Sequence, residues 1–368
     1  MSWELAPASR FAEHLPTWRT LHAGGSALLA AEFVQALLDA FGDGKEWLAQ
    51  YRQDGVVTVM TIVRTPRWGI WETFQPSQAP ITLWLEQPGA VAPHALARVL
   101  DQLMAALPGS PLLLGLTQRD PALHPPPPPR ARLGMAPYVD TARITLAGTF
   151  DDFWLARGKN LRANMKKQRA RLAKEGTSAR LEVTREPGLM AAAVRDFGRL
   201  ESAGWKAGIG TAIGGNGADD GADAQGRFYR NMLAAMAQRG AASVYRYWLG
   251  DRLVAMNLCV EDGGDMIILK TTYDETLDAH YTPAFMMLEE IVQQLYAQQR
   301  LGGIEFYGKV MDWHRRWSDD VRTLYHVNHY RLAGLAHLHR LHRRWRLPPA
   351  AATAAAIAPT TPTAPATE

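Results

Sequence analysis

Three strand-like runs, "AASVYRYWLG", "RLVAMNLCVED" and "DMIILKTTYD", follow one another with only Gly-Asp and Asp-Gly-Gly between them. Turns of that length and composition suit hairpins, so the runs are expected to pair as an antiparallel meander. The third run passes through a short polar loop to Thr282-Pro283, where the apolar pattern "AFMMLEEIVQQLYAQQ" starts a helix with threonine as N-cap and proline at its first position. That helix crosses over into the next strand, "GIEFYG". Apart from this crossover the sheet is expected to be largely antiparallel, which argues against a Rossmann fold. Neither GxGxxG nor GxxxxGK[ST] stands between a strand and a helix.

The rest of the chain is mixed α/β. In the first part, "GGSALLAAEFVQALLDAFG" reads as a helix stopped at Gly42, "GVVTVMTIVRT", "PITLWLE" and "PLLLGLTQ" as strands, and "HALARVLDQLMAALPG" as a helix. Five prolines, 125–129, impose an extended connection that reads as a surface linker or a docking ligand. After the strand "DTARITLAG", the segment "FDDFWLARGKNLRANMKKQRARLAKEG" reads as one long helix with Trp154, Leu161, Met165 and Leu172 on one face. Eight Lys or Arg and no acid lie within 157–174, which is either a solvated outer face or a positive wall beside an anion site.

The strand "ARLEVTRE" and the helix "LMAAAVRDFGRLESAGW" precede a long glycine-rich loop, and the helix "FYRNMLAAMAQRG" leads into the meander. Beyond "GIEFYG" come a short helix "MDWHRRW", a strand "RTLYHVNHYR" and a basic helix "LAGLAHLHRLHRRWRLP". That last helix suits either packing on the body of the protein or an anionic membrane surface. The Ala/Pro/Thr tail is of low complexity and is expected to be disordered.

Composition excludes several classes. With 368 residues, two domains are the natural expectation, and 47% hydrophobic with 21% charged residues describes a globular chain with ample core. A net charge of only +4 is not that of a DNA-binding protein. The single cysteine, Cys259, lies in an apolar run and can form neither an internal disulfide nor a thiolate zinc site. The histidines lack acidic partners at metal-ligating spacing, so no metal is expected. Without a signal-peptide pattern or an apolar run of membrane-spanning length, the cytoplasm is the expected location.

The Thr-Pro turn carries the chemistry. In a helix starting at Pro283, the early N–H groups near Ala284, such as those of Phe285 and Met286, are expected to lack intrahelical acceptors and so to favour an anion. The strand ending at Lys270-Thr271 offers an edge to an extended ligand, and Lys270 a charge. A group transfer at such a site needs a base and a proton donor for the leaving group. Asp274, Glu275 and Glu305 are candidate bases, Tyr281 and Tyr307 candidate acids, and Lys206 a substrate-orienting group. An inward Glu305 would be desolvated and its pKa raised. Trp205, Trp313, His314 and Arg315 suit stacking on a sugar and pairing with an anion. Taken singly, each of these reads as a salt bridge, cap or surface group.

The second half resembles the GNAT superfamily of acyl-CoA-dependent N-acetyltransferases, and more closely the CelD/BcsL-type cellulose-biosynthesis branch of tandem GNAT proteins, related in architecture to the Fem aminoacyl-transferases. "LESAGWKAGIGTAI" (200–213), "LKTTYDETLDAHYTPAFMMLEE" (269–290) and the basic helix at 161–175 carry the likeness. Ala284 departs from it, standing where the branch commonly carries glycine.

The resemblance implies an α+β fold of tandem GNAT-like domains, each a mostly antiparallel twisted sheet flanked by helices. The expected organisation is a degenerate N-terminal module over 1–124, a proline-rich linker and connecting strand over 125–148, an acyltransferase module with a basic C-terminal helix over 149–346, and a tail over 347–368. It further implies acetyl-CoA or another acyl-CoA as co-substrate, bound by Lys270, Thr271, Thr282, Ala284, Phe285 and Met286. The acceptor would be an amine, such as an amino sugar or a polysaccharide precursor, with peripheral contact to a membrane or to polysaccharide-synthesis machinery. DNA is not an expected partner, and tRNA enters only in the alternative of a Fem-like aminoacyl-tRNA-dependent transferase. The other alternative is a catalytically inactive scaffold in polysaccharide assembly.

Overall fold

The computed structural model describes residues 1–202, 213 and 223–346, with side chains described as far as 339. Among them, the strands of the first half are β1 (Ser2–Pro7), β2 (Trp47–Gln53), β3 (Val56–Arg67), β4 (Ile70–Thr73), β5 (Trp84–Glu86) and β6 (Leu113–Arg119). β7 (Leu133–Thr145) completes that half, and the strands of the second are β8 (Ala179–Thr184), β9 (Ala242–Leu249), β10 (Arg252–Asp262), β11 (Asp265–Tyr273), β12 (Gly303–Glu305) and β13 (Asp320–Tyr330). All thirteen join one continuous sheet, ordered β1-β2-β3-β4-β6-β13-β7-β12-β11-β10-β9-β8, with β5 paired to β3.

The order is that of two alike halves. Each has an antiparallel run of strands, then one parallel pair, β4 with β6 in the first half and β11 with β12 in the second. Each half then sends its last strand across to the other. β7 follows β6 in sequence but pairs with β12, while β13 follows β12 and pairs with β6. β7 and β13 pair with each other and close the seam. Because every strand next to the seam is hydrogen-bonded to a strand of the other half, the two modules form one hydrogen-bonded sheet.

Helices cover both faces. α1 (Leu15–His22), α2 (Ala31–Phe41), α6 (Met190–Ser202) and α7 (Ala224–Ala237) lie over a core shared by both halves, in which Phe33 and Phe228 meet edge to face at 5.5 Å. On the second half α5 (Lys159–Lys174) and α8 (Pro283–Gln298) pack in a cluster with Trp317, while α3 (Leu96–Ala106) covers the first half. The remaining helices are α4 (Phe150–Leu155), α9 (Asp312–Trp317) and α10 (Ala333–Arg346). None of the described helices is long and apolar enough to cross a membrane.

Several local expectations change. The single helix expected after "DTARITLAG" is two, because Gly158 takes an extended ψ of 137° and the Arg157 guanidinium is drawn away to the Trp317 carbonyl at 2.6 Å. Leu161, Met165 and Leu172 are still buried as their spacing predicts. Gly42 ends α2 without a left-handed φ (−68°), and a Cβ there would lie 2.6 Å from the Leu38 carbonyl oxygen, so close approach is what requires glycine. β1, β2 and β4 carry weak sequence patterns and are set by their neighbours in the sheet. Leu332, just before α10, and Leu338 on it are exposed, Leu335 is half-buried and Ala336 is buried, while Leu341 and Trp345 of the expected stripe lie beyond the described side chains. Four of the five consecutive prolines are exposed, in a segment without helix or strand. The disorder expected of 347–368 concerns residues outside those described.

Candidate functional site

The parallel pair β11–β12 is short. Its register runs only from Asp265 opposite Gly303 to Ile267 opposite Glu305, yet β11 continues to Tyr273. The departure coincides with a bulge. Leu258 and Cys259 of β10 face Lys270 and Ile268, which leaves Leu269 as an extra residue and turns the strand. On the other side, Phe306 and Val310 donate to the carbonyls of Ala142 and Asp140, and Tyr307 adopts a left-handed φ of 39°. A wedge thus opens between β11 and the segment after β12, and α8 starts from the far end of β11.

The mouth of α8 is tied down. Thr282 takes the N-cap position, but its hydroxyl accepts from Gln168 Nε2 (2.9 Å) and its N–H donates to Gln168 Oε1 (2.8 Å), anchoring the turn to α5. The Thr282 carbonyl accepts from the N–H groups of Phe285 (2.9 Å) and Met286 (3.1 Å). This corrects the expectation that those two amides lack partners. Met286 is fully buried in the core, whereas Ala284 and Phe285 are half-buried at the helix mouth. Phe285 belongs to an aromatic wall with Trp313 (6.3 Å) and Trp317 (5.9 Å), and Phe306 meets Trp313 edge-on at 5.6 Å.

Lys270 points to the opposite face of the sheet. Its Nζ lies 2.9 Å from Glu201 Oε2 and over the rings of Phe197 and Tyr229 at 5.7 and 5.8 Å. The Glu201 side chain is fully buried and also accepts from the Ile213 N–H at 2.9 Å. The expected diphosphate partner is therefore a buried ion pair. Thr271, half-buried, stands opposite Asn257 in register. Trp205 and Lys206 lie outside the described residues.

Of the carboxylates expected as bases, Asp274 and Glu305 are engaged by arginines, and Glu275 is exposed. Burial would raise the Asp274 pKa, but bonds from the Thr276 hydroxyl and amide and from Arg252 outweigh it and hold the acid below its ordinary range. Glu305 is buried, which raises its pKa as expected, while Arg322 and Arg143, each 2.9 Å from one of its oxygens, oppose the shift. Arg143 continues to Asp265 (2.6 Å) and Arg322 to Asp120 (2.6 Å), giving a chain of five charged groups across the seam. Tyr307 donates to Asp120 at 2.8 Å, and burial pushes its phenol far above the ordinary value, with the Asp120 charge adding to the shift. Tyr281 donates to Glu175 at 2.5 Å and its pKa is raised to about 12 by desolvation and that bond.

His314 stacks on Trp313 at 3.5 Å and accepts the Met311 N–H through Nδ1 at 2.9 Å. Burial lowers its pKa to about 4, so the ring is a neutral cap at pH 7. Arg315 is exposed beside it.

The structure thus brings Ala284, Phe285, Thr282 and Trp313 together on one side of the wedge, and turns Lys270 and Tyr307 to the other. Gln168, Glu201, Arg143, Arg322 and Asp120 were not singled out by sequence. Only Glu201 had a signal, as the acid of the 200–213 stretch.

A groove of about 520 Å³ runs between α5 and α8, lined by Trp154, Lys159, Arg162, Lys166 and Arg169, with buried Glu289 at its base. Arg169 lies 3.0 Å from Glu289, leaving a marked excess of positive charge. The equivalent wedge of the first half is filled. Beyond β4–β6, the Thr73 and Thr117 hydroxyls bond each other at 2.8 Å, the Thr117 hydroxyl donates to Gln75 (2.9 Å), and the Thr82 N–H donates to the Gln118 carbonyl (3.1 Å).

Residues 159–315 match the family model described as an acetyltransferase (GNAT) domain. They hold α5, the meander, the wedge, α8 and most of α9. No curated protein sequence matches the chain. Among solved structures, FemX aligns over 92% of this chain and 99% of its own, with a TM-score of 0.56 and 10% identity. A C-terminal domain from Agrobacterium fabrum that carries the name of a lysylphosphatidylglycerol synthetase aligns over 91% and 96% (TM-score 0.54, 13% identity). L-PGS from Bacillus licheniformis aligns over 90% and 96% (TM-score 0.50, 13% identity). The chain therefore has the mixed α+β fold of FemX, and residues 159–315 of its second half match a GNAT acetyltransferase domain.

Proposed function

We propose that the protein is an acyl-CoA-dependent N-acyltransferase that moves an acetyl group to an amine, such as that of an amino sugar or polysaccharide precursor. The observation that carries this reading is the wedge between β11 and β12, opened by the Leu269 bulge with the mouth of α8 at its end. A strand edge leading to a helix N-terminus suits an extended amide-bearing arm that ends in a diphosphate. The filled Thr73–Thr117 wedge of the first half supports one active module and one degenerate module. The cytoplasm, where acyl-CoA is made, is the compartment this reading requires.

In the reaction the free amine attacks the thioester carbonyl, the carbon–sulfur bond breaks, the amine loses a proton and the thiolate gains one. Asp274 and Glu305 are engaged by arginines, so water relayed to Glu305 or Tyr281 is the proposed proton path. The α5–α8 groove offers the acceptor an anion-binding wall.

Calorimetric titration with acetyl-CoA tests the reading. Binding by the parent protein and its loss in Ala284→Glu, which places a carboxylate at the helix mouth, is the expected result. No binding of acetyl-CoA or of longer acyl-CoAs would sink it. A second reading, a catalytically silent scaffold, is favoured by the ion pairing of Asp274 and Glu305. Acetyl-CoA binding without turnover on any amine would select it. A third, an aminoacyl-tRNA donor, draws on the basic groove and predicts tRNA binding that weakens steeply with salt.

A further inference from the structure

The first half carries a groove of about 600 Å³ that has no part in the wedge or in the reaction proposed above. It is lined by Trp47, Trp68 and Trp71, together with Lys45, Arg67, Pro7 and Pro108. Trp68 is 82% exposed, an unusual place for the largest apolar side chain. It sits on the hairpin between β3 and β4, and that hairpin is held. The Thr65 hydroxyl reaches the carbonyls of Arg67 (2.8 Å) and Ile70 (3.0 Å), and the Gly69 carbonyl accepts from the N–H groups of Leu112 (2.7 Å) and Leu113 (3.1 Å). Gly69 has a φ of +72°, and a Cβ there would press on Leu112 at 3.2 Å, so the tip depends on glycine.

The neighbouring charges are sorted. Glu46 is buried and accepts the N–H groups of Asp43 and Gly44, each at 3.0 Å, and Lys45 pairs with Asp43 at 3.1 Å. Arg67 is exposed. The combination is indole surfaces on a hydrogen-bonded hairpin, a concave shape and an exposed arginine.

We propose that this groove binds a saccharide chain, with pyranose rings stacking their C–H faces on the indoles of Trp68 and Trp47 and Arg67 bonding ring hydroxyls or a sugar carboxylate. Indole rings are flat, apolar and polarised negative over their faces, which matches the weakly positive C–H face of a pyranose. The volume falls within the usual range for ligand pockets, and the fixed hairpin spares the ordering cost of the Trp68 backbone. A purely apolar partner would leave the arginine without a role, and a flat membrane would not fill a concave groove. The inference stands apart from the acyl-CoA reading.

The test titrates the full chain with maltohexaose, chitohexaose and hexagalacturonate, which cover neutral, N-acetylated and acidic pyranose chains. Binding is followed by calorimetry and by the indole N–H resonances of Trp47 and Trp68, assigned with Trp→Phe variants. At least one oligosaccharide is expected to bind, to shift both resonances, and to lose about 10-fold or more in affinity in Trp68→Ala. That substitution is exposed and leaves the melting temperature and acetyl-CoA titration unchanged. Three results overturn the proposal: no oligosaccharide binds, binding persists undiminished in Trp68→Ala, or the Trp68-dependent partner is an anionic phosphatidylglycerol vesicle.

Discussion

Lys270 and Glu201 form an ion pair of 2.9 Å, with the carboxylate side chain fully buried and the lysine only 13% exposed. The two residues come from separate sequence stretches, 200–213 and 269–290, and their meeting fixes α6 against the bulged strand β11. Removing one partner strands a buried charge. Lys270→Met is expected to lower unfolding free energy by about 3–5 kcal/mol. Adding Glu201→Gln, which keeps an acceptor for the Ile213 N–H, should restore most of it. Urea denaturation of the single and double variants measures this, and equal stability of Lys270→Met and parent would contradict the pairing.

The chain Asp120–Arg322–Glu305–Arg143–Asp265 joins the two halves through β13 and β7. Arg322 serves Asp120 and Glu305 at once, and both are buried. Arg322→Met is expected to cost about 3–5 kcal/mol and to destabilise both halves together, because the sheet is continuous. Hydrogen exchange should show loss of protection in β6 as well as β12. A loss confined to one half would argue against a shared sheet.

Tyr307→Phe removes the bond to Asp120 but keeps the ring. A cost of about 2 kcal/mol is expected, as for a hydrogen bond to a charged group. Acetyl-CoA affinity should not change, since the hydroxyl faces the seam. A drop in affinity at full stability would instead place the phenol at the donor.

His314 supplies a pH-dependent contribution with a defined sign. Its folded pKa, about 4, lies below the ordinary value of about 6.5, so protons bind the unfolded chain more readily. The resulting stability is fully present above about pH 6.5 and is lost as pH falls toward 4, by about 3 kcal/mol in all. Urea midpoints from pH 7.5 down to 4.5 should show a shallower acid slope in His314→Gln. An unchanged slope would mean that the imidazole is protonated where it stands.

Lys159 and Lys166 line the α5–α8 groove without a counter-charge of their own helix. The double charge reversal to Glu should weaken binding of inorganic triphosphate at low salt by about 10-fold and flatten its salt dependence. Triphosphate affinity that ignores both substitutions would remove the groove from consideration as an anion site.

Sequence reading reached the architecture of the second half through hairpin turns and the Thr-Pro helix start, because those signals are local. It missed the break in the helix before α5, since the cause is the Trp317 carbonyl, distant in sequence, capturing Arg157. It placed Glu305 as a desolvated carboxylate, which holds, but it could not see that Arg143 and Arg322 occupy both of its oxygens.

What the sequence determined by itself is the meander, the crossover, the basic face of α5 and the position of the turn at Pro283, all of which follow from periodicity, glycine, proline and charge within a few residues. The tertiary structure alone decided that β7 and β13 exchange places between the halves, that Lys270 turns to Glu201 instead of the helix mouth, and that Thr282 spends its hydroxyl on Gln168. Those outcomes rest on which groups meet across long stretches of chain, and the energy of a buried charge or hydrogen bond depends on the partner it finds, which no local pattern encodes.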